Sequence, residues 1–69
     1  MHVKSNVTYW GMAGKREVKR KVNSIETRYL GTQYVNWTLI KKDGSSGMSG
    51  LTERRKFEEW AKGIYEIHE

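Results

Sequence analysis

A dense run of basic residues is the part of this sequence whose side chains could do chemistry. Five cations occupy the seven positions 15–21, namely Lys15, Arg16, Lys19, Arg20 and Lys21. Closely spaced Lys and Arg side chains attract polyanions such as the phosphate backbone of a nucleic acid. Phosphate contacts position a protein without selecting a base sequence, so the run predicts electrostatic binding with weak sequence preference.

The charges are unevenly divided along the 69 residues. Residues 1–42 carry nine Lys or Arg against two acids, whereas residues 43–69 carry four against six. This asymmetry favours a nucleic-acid-binding domain. Its candidate contacts are the basic run together with Arg28, Lys41, Lys42, Arg54, Arg55 and Lys56. An acidic protein surface would be attracted by the same field, so a protein-interaction module or inhibitor, such as a phage-type accessory protein, is the alternative.

Exposed aromatic side chains would strengthen a nucleic-acid surface, because they stack on unpaired bases. Tyr9, Trp10 and Tyr29 are the candidates for this role. A chain this short also needs aromatic residues for its core, and a core role is the competing interpretation for each of them.

Residues suited to catalysis or metal binding are poorly arranged in the sequence. The chain has no Cys, and its two histidines, His2 and His68, lie near opposite ends. Glu58 and Glu59 would point about 100° apart on a helix, so they do not form a convergent carboxylate pair. We therefore expect no enzyme, no cofactor and no metal site. A small ribonuclease or toxin is the remaining catalytic alternative.

A glycine-rich stretch at residues 44–50 is a second place where a phosphate could bind. If it runs into a helix that begins with Arg54, Arg55 and Lys56, it would offer backbone N–H groups and cations together. It lacks the Gly-Lys-Ser/Thr ending of a nucleotide-binding loop. A flexible connector is the competing interpretation.

The elements that must position these residues follow from the apolar patterns. Alternation predicts a strand over residues 2–11, and a run rich in β-formers predicts a buried strand over residues 33–42. Residues 15–29 fit either an amphipathic helix or a strand bent near Asn23, with Val18, Val22, Ile25 and Tyr29 sharing one face. We favour the strand, because two strands alone make a marginal sheet. On that strand Lys15, Lys19 and Lys21 would share one face and Arg16 and Arg20 the other.

The C-terminal part predicts a helix. Phe57, Trp60, Ala61 and Ile64, with Ile67, form an apolar stripe over residues 51–67, after a flexible Gly/Ser loop at 43–50. The predicted fold class is α+β, a small three-stranded antiparallel β-meander packed by one C-terminal α-helix in a single domain, 1–69. The alternative is a β-α-β-α order in which residues 15–30 are helical.

This predicted order resembles the architecture of known nucleic-acid-binding domains. It is similar to the C-terminal part of double-stranded-RNA-binding domains, and to the three-stranded-sheet DNA-binding domains of some integrases and plant transcription factors. Arg54, Arg55 and Lys56 stand where the RNA-binding family has its helix-start lysines. The preceding helix and the Ala-rich helix of that family have no counterpart here, and the Tyr29–Thr32 match to the plant domains is short. The resemblance therefore implies a fold and a basic contact surface, not membership of a family.

The remaining expectations concern partners and location. No apolar stretch approaches the ~20 residues needed to cross a bilayer, so we expect a cytoplasmic protein without a membrane partner. A chain of this length buries only about 60% of its unfolded surface, and forming a homodimer would add buried area. The expected partners are thus DNA or RNA or an acidic protein, with a possible homodimer.

Overall fold

The basic run opens a twelve-residue strand at the centre of the sheet. A computed structural model describes residues 2–65 as an α+β fold with a five-stranded antiparallel sheet and one helix. The strands are β1 (Thr8–Ala13), β2 (Arg16–Thr27), β3 (Gln33–Ile40), β4 (Ser46–Glu53) and β5 (Gly63–Ile64), and the helix is α1 (Arg54–Trp60). Their order in the sheet is β4-β3-β2-β1-β5. The meander of β1, β2 and β3 is as predicted, but the count of three strands is too low.

The ambiguous segment is a strand, and the β-α-β-α alternative is wrong. The pairing of β2 with β3 shifts between Val22 and Ser24, which leaves Asn23 as the extra residue of a bulge. The bulge brings Ile25 back to the face on which Val22 is buried, so both contact the core. The predicted irregularity at Asn23 is confirmed. Tyr29 was expected on the same face, but it lies beyond the strand and is 88% exposed.

The predicted flexible loop at 43–50 is wrong for most of its length, because Ser46–Glu53 forms β4 against β3. The sequence pattern does not indicate this strand, because its Gly and Ser residues have low β propensity. Gly50 lies opposite Trp37, and a side chain at Gly50 would overlap the indole ring. The glycine therefore makes room for a large neighbour on the adjacent strand.

The predicted helix 51–67 is also wrong at both ends. The helix covers only Arg54–Trp60, and the Ala61 N–H donates to the Phe57 carbonyl as the chain leaves it. Gly63 and Ile64 then pair with β1 as β5, which leaves Ile64 55% exposed. The position of Ile67 lies outside the described residues. The first half of the apolar stripe is confirmed, because Phe57 and Ala61 are buried in the core.

One face of the sheet is covered by α1 and by the segment that precedes β1. The core contains Val3, Tyr9, Val22, Val35, Phe57 and Ala61. Residues 2–7 were predicted within the first strand but lie outside β1, because Asn6 has a positive φ of 65° and turns the chain. This turn sends Val3 beneath the helix, where its N–H donates to Glu58 Oε2 at 2.8 Å. The opposite face of the sheet carries no helix among the described residues.

Candidate nucleic-acid interface

Two basic segments far apart in the sequence meet at one end of the sheet. Lys19 lies opposite Ile40, so the start of β2 and the end of β3 are neighbours. They line a groove of ≈ 510 Å³ whose walls are Arg16, Glu17, Val18, Lys19, Leu39, Ile40, Lys41 and Lys42. We call Arg16, Lys19, Lys41 and Lys42 the basic end. Lys15 adjoins it in the two-residue loop that joins β1 to β2.

Local turn chemistry fixes the position of Lys41 and Lys42. The Gly44 N–H donates to the Lys41 carbonyl, and Gly44 has a φ of +87°, which a residue with a side chain rarely adopts. Asp43 Oδ1 accepts hydrogen bonds from the Ser45 hydroxyl at 2.6 Å and from the Ser45 N–H at 2.9 Å. The hydroxyl hydrogen bond, followed by the backbone one, lowers the pKa of the Asp43 carboxyl below its ordinary value. The acid beside the two lysines is thus engaged within its own turn.

The ion pairs of the described residues lie away from the basic end. Glu58 pairs with Arg54 at 3.4 Å and approaches His2 at 3.9 Å, whereas Glu26 pairs with Arg28 at 3.1 Å. None of these pairs involves a residue of the basic end. Within residues 2–65, no salt bridge therefore occupies these four side chains.

The strand separates the basic run into two faces, as the sequence pattern predicts. Arg16 and Arg20 alternate with Lys19 and Lys21, and successive side chains point to opposite sides of a sheet. Arg20 lies on the helix side, because its guanidinium contacts Trp60 of α1. Lys19 and Lys21 consequently belong to the uncovered face, where Lys21 is exposed.

Arg20 is held between two tryptophan rings. Its Cζ lies 4.3 Å from the centroid of Trp37 and 4.4 Å from that of Trp60. Burial lowers the pKa of this guanidinium, although arginine still remains charged. Its Nε is buried without a hydrogen-bond partner among residues 2–65. The contacts indicate that Arg20 mainly packs the structure, a role that the sequence did not predict.

Four of the predicted contact residues lie elsewhere: Arg28, Arg54, Arg55 and Lys56. Arg28 follows β2 at the other end of the sheet, and α1 carries the other three. Arg54 donates to Gln33 Oε1 at 2.7 Å and to the Val3 carbonyl at 2.9 Å. It therefore ties the N-terminal segment to the sheet. The glycine-rich stretch considered as a phosphate loop is instead mostly β4, and Arg54 at the helix start is hydrogen-bonded within the fold.

The uncovered face also carries aromatic side chains. Trp10 lies opposite Lys19 and is partly exposed, and the Lys19 ammonium lies 4.4 Å from the ring centroid of Tyr65. Of the three candidates for stacking on bases, Tyr9 has the competing core role and is buried, and Tyr29 lies at the far end of β2. Tyr65 was missed, because the helical pattern had placed it within the predicted helix.

No family model, no curated protein and no solved structure matches the chain. Within residues 2–65, no three His, Asp or Glu side chains form a group that could hold a metal ion. The one helix in the described part of the chain is too short to span a membrane.

Proposed function

We propose that this chain is a small basic nucleic-acid-binding domain that contacts mainly the phosphate backbone. The observation that carries the proposal is the basic end, where Arg16, Lys19, Lys41 and Lys42 line one groove and form no ion pair with another described residue. Arrays of unpaired cations bind phosphates by releasing condensed counterions, and they do so for any sequence.

The distribution of acids supports this assignment. Glu17 is the one acid that lines the groove, and Asp43 is hydrogen-bonded to Ser45 nearby. A second depression, of ≈ 340 Å³ at the other end of the sheet, has Arg54 and Arg55 beside Glu53 and Glu58. Its mixed charge makes it a poorer phosphate site. The basic end therefore carries a net positive charge while the charges at the other end balance, and a polyanion should prefer the basic end.

Fluorescence anisotropy with labelled DNA at several salt concentrations tests the proposal. Neutralising four phosphates of a duplex gives a slope of about −3.6 in log affinity against log salt. Replacing Lys41 and Lys42 together by Ala should weaken binding and flatten the slope by about 1 to 2. The matched control is Arg55→Ala with Lys56→Ala, which removes the same charge from exposed positions on α1.

The control variant should bind as the parent does, except for a small general loss from the reduced net charge. Equal effects of the two double substitutions would refute the assignment to the basic end. No binding by the parent at about 50 mM salt, where non-specific affinity is strongest, would reject the nucleic-acid function itself.

One observation favours the second candidate, a protein-interaction module. Tyr29 and Leu30 are 88% and 87% exposed at the turn between β2 and β3. Leu30 also has a φ of +65°, which is unusual for a residue other than glycine. An exposed apolar tip of this kind suits contact with a protein surface, and it becomes the leading site if the parent fails to bind nucleic acid.

A further inference from the structure

The uncovered face of the sheet combines aromatic rings and lysines in one patch. Trp10 pairs with Lys19, and Thr8 pairs with Lys21, so these side chains share the face opposite α1. The Tyr65 N–H donates to the Thr8 carbonyl at 2.9 Å, which places Tyr65 beside them. We call Trp10, Lys19, Lys21 and Tyr65 the open-face patch. Lys19 also lines the groove, so the patch and the basic end are continuous.

The strand geometry holds the indole of Trp10 close to the sheet. Trp10 lies opposite Gly63, and a Cβ built at Gly63 would come 2.8 Å from Trp10 Nε1. The missing side chain thus lets the ring approach the backbone of β5. Among the described residues the Trp10 ring is not stacked on another aromatic ring, whereas Phe57 and Trp60 pack together in the core. Trp10 is itself partly exposed, so part of its ring is accessible to a planar ligand.

Resting on the proposed function, we infer that the open-face patch selects single-stranded nucleic acid. Unpaired bases stack on Trp10 and Tyr65, and the phosphates between them meet Lys19 and Lys21 before the strand reaches the basic end. A duplex encloses the faces of its bases, so an aromatic ring on a sheet surface has nothing to stack on. Base stacking on aromatic rings tolerates any sequence, which agrees with the absence of a base-reading pattern.

The charge of the patch fits this occupant. The Lys19 ammonium lies over one side of the Tyr65 ring, so positive charge and an aromatic surface are adjacent in the patch. Glu17 is the nearest acid on this face of β2, and it lies opposite Met12, beyond the Trp10 and Lys19 pair. The centre of the patch therefore contains aromatic rings and positive charge without a carboxylate among the described residues.

The experiment compares two fluorescein-labelled probes, an oligothymidine of about 12 nucleotides and a duplex of equal length. This length lies within the roughly 4–16 nucleotides that a single-strand-binding OB fold covers. The parent should bind the single strand at least about tenfold more tightly than the duplex at equal salt. Trp10→Ala should weaken single-strand binding roughly 5- to 100-fold, which corresponds to the stacking of one base. Its duplex affinity and its salt slope should not change.

Tyr65→Ala provides a second variant, since Tyr65 lies outside the buried core and its loss should leave the fold intact. It should also lose single-strand affinity with an unchanged salt slope. Tyr29→Ala is the matched control, because it removes an exposed aromatic ring at the other end of β2. Circular dichroism melts of all three variants show whether each is folded at the assay temperature.

Each outcome separates the two proposals. Equal or tighter binding of the duplex would overturn the inference while leaving phosphate binding intact. The same would follow if both patch variants bound the single strand as Tyr29→Ala does. Displacement of the oligothymidine by polyglutamate at equal charge concentration would also overturn it, since the patch would then recognise charge alone. Failure of the parent to bind either probe would reject the proposed function.

Discussion

Removing the guanidinium of Arg20 tests whether the cation between two indole rings stabilises the fold. Each contact of this type contributes about 0.5–1 kcal/mol when exposed and about 2 kcal/mol when desolvated. Since Arg20 is partly buried, the contacts with Trp37 and Trp60 together contribute about 2–3 kcal/mol. Packing of the methylene stem of Arg20 adds about 1 kcal/mol to the stability. The buried Nε without a hydrogen-bond partner lowers the stability by about 1 kcal/mol, so these two contributions cancel.

Arg20→Ala should therefore lower the free energy of unfolding by about 2–3 kcal/mol, or the melting temperature by about 10–20 °C for a domain of this size. Urea denaturation followed by tryptophan fluorescence measures both the stability and the environment of the rings. Arg20→Lys keeps the charge but loses the planar stack, so its loss should be smaller but measurable. The matched control is Arg16→Ala, an exposed residue on the same side of β2, which should stay within about 0.5 kcal/mol of the parent.

The salt dependence distinguishes ring stacking from an ion pair. Contacts between a guanidinium and partly buried rings should persist in 1 M salt, where the Debye length is about 3 Å and exposed charge pairs are screened. The difference between Arg20→Ala and the parent should then be similar at low and high salt. If Arg20→Ala unfolds at the same urea concentration as Arg16→Ala, the reasoning on the stacked guanidinium is wrong.

Two further predictions concern a glycine contact and a turn. Gly11→Ala should destabilise the fold by about 1–3 kcal/mol, because the added methyl would overlap the Trp60 ring. In urea denaturation this loss of stability should exceed that of Gly14→Ala, which strains only a turn with φ of +63°. Ser45→Ala should raise the pKa of Asp43 toward its ordinary value in a carboxyl NMR titration. Because the folded pKa of Asp43 is lowered, its stabilising contribution is present above the unfolded pKa and is lost as the pH falls through the folded pKa. An Asp43 titration that is the same in Ser45→Ala as in the parent would contradict this account.

The sequence was sufficient where one element explains the pattern by itself. The odd spacing of Val22 and Ile25 was compatible with a strand only if Asn23 formed a bulge, and the structure has that bulge. The separation of Lys19 and Lys21 from Arg20 follows from the alternation of a strand alone. Both predictions depend on local geometry, which a single segment of sequence determines.

The sequence was insufficient where a residue depends on a partner from another element. β4 consists largely of Gly and Ser, and its strand conformation depends on pairing with β3 and on the space that Trp37 needs. Ile64 continued the helical spacing, but Gly63 and Ile64 pair with β1 instead. Tertiary pairing therefore overrode local propensity, and it displaced two of the predicted boundaries.

The three tryptophans of the chain each lie against a glycine, and this arrangement connects the fold with the proposed function. A Cβ at Gly11 would overlap Trp60, one at Gly50 would overlap Trp37, and one at Gly63 would press on Trp10. Missing side chains let large rings approach the sheet backbone, which gives a short chain buried area without many core residues.

The two indoles on the helix side share a partner, since the Arg20 guanidinium contacts both rings. Trp10 on the other face has no such partner among the described residues. It does have a glycine of its own against the ring, Gly63, and it lies opposite Lys19. On the proposed function, the partly exposed indole beside Lys19 would receive an unpaired nucleotide, which brings both a planar surface and a negative charge.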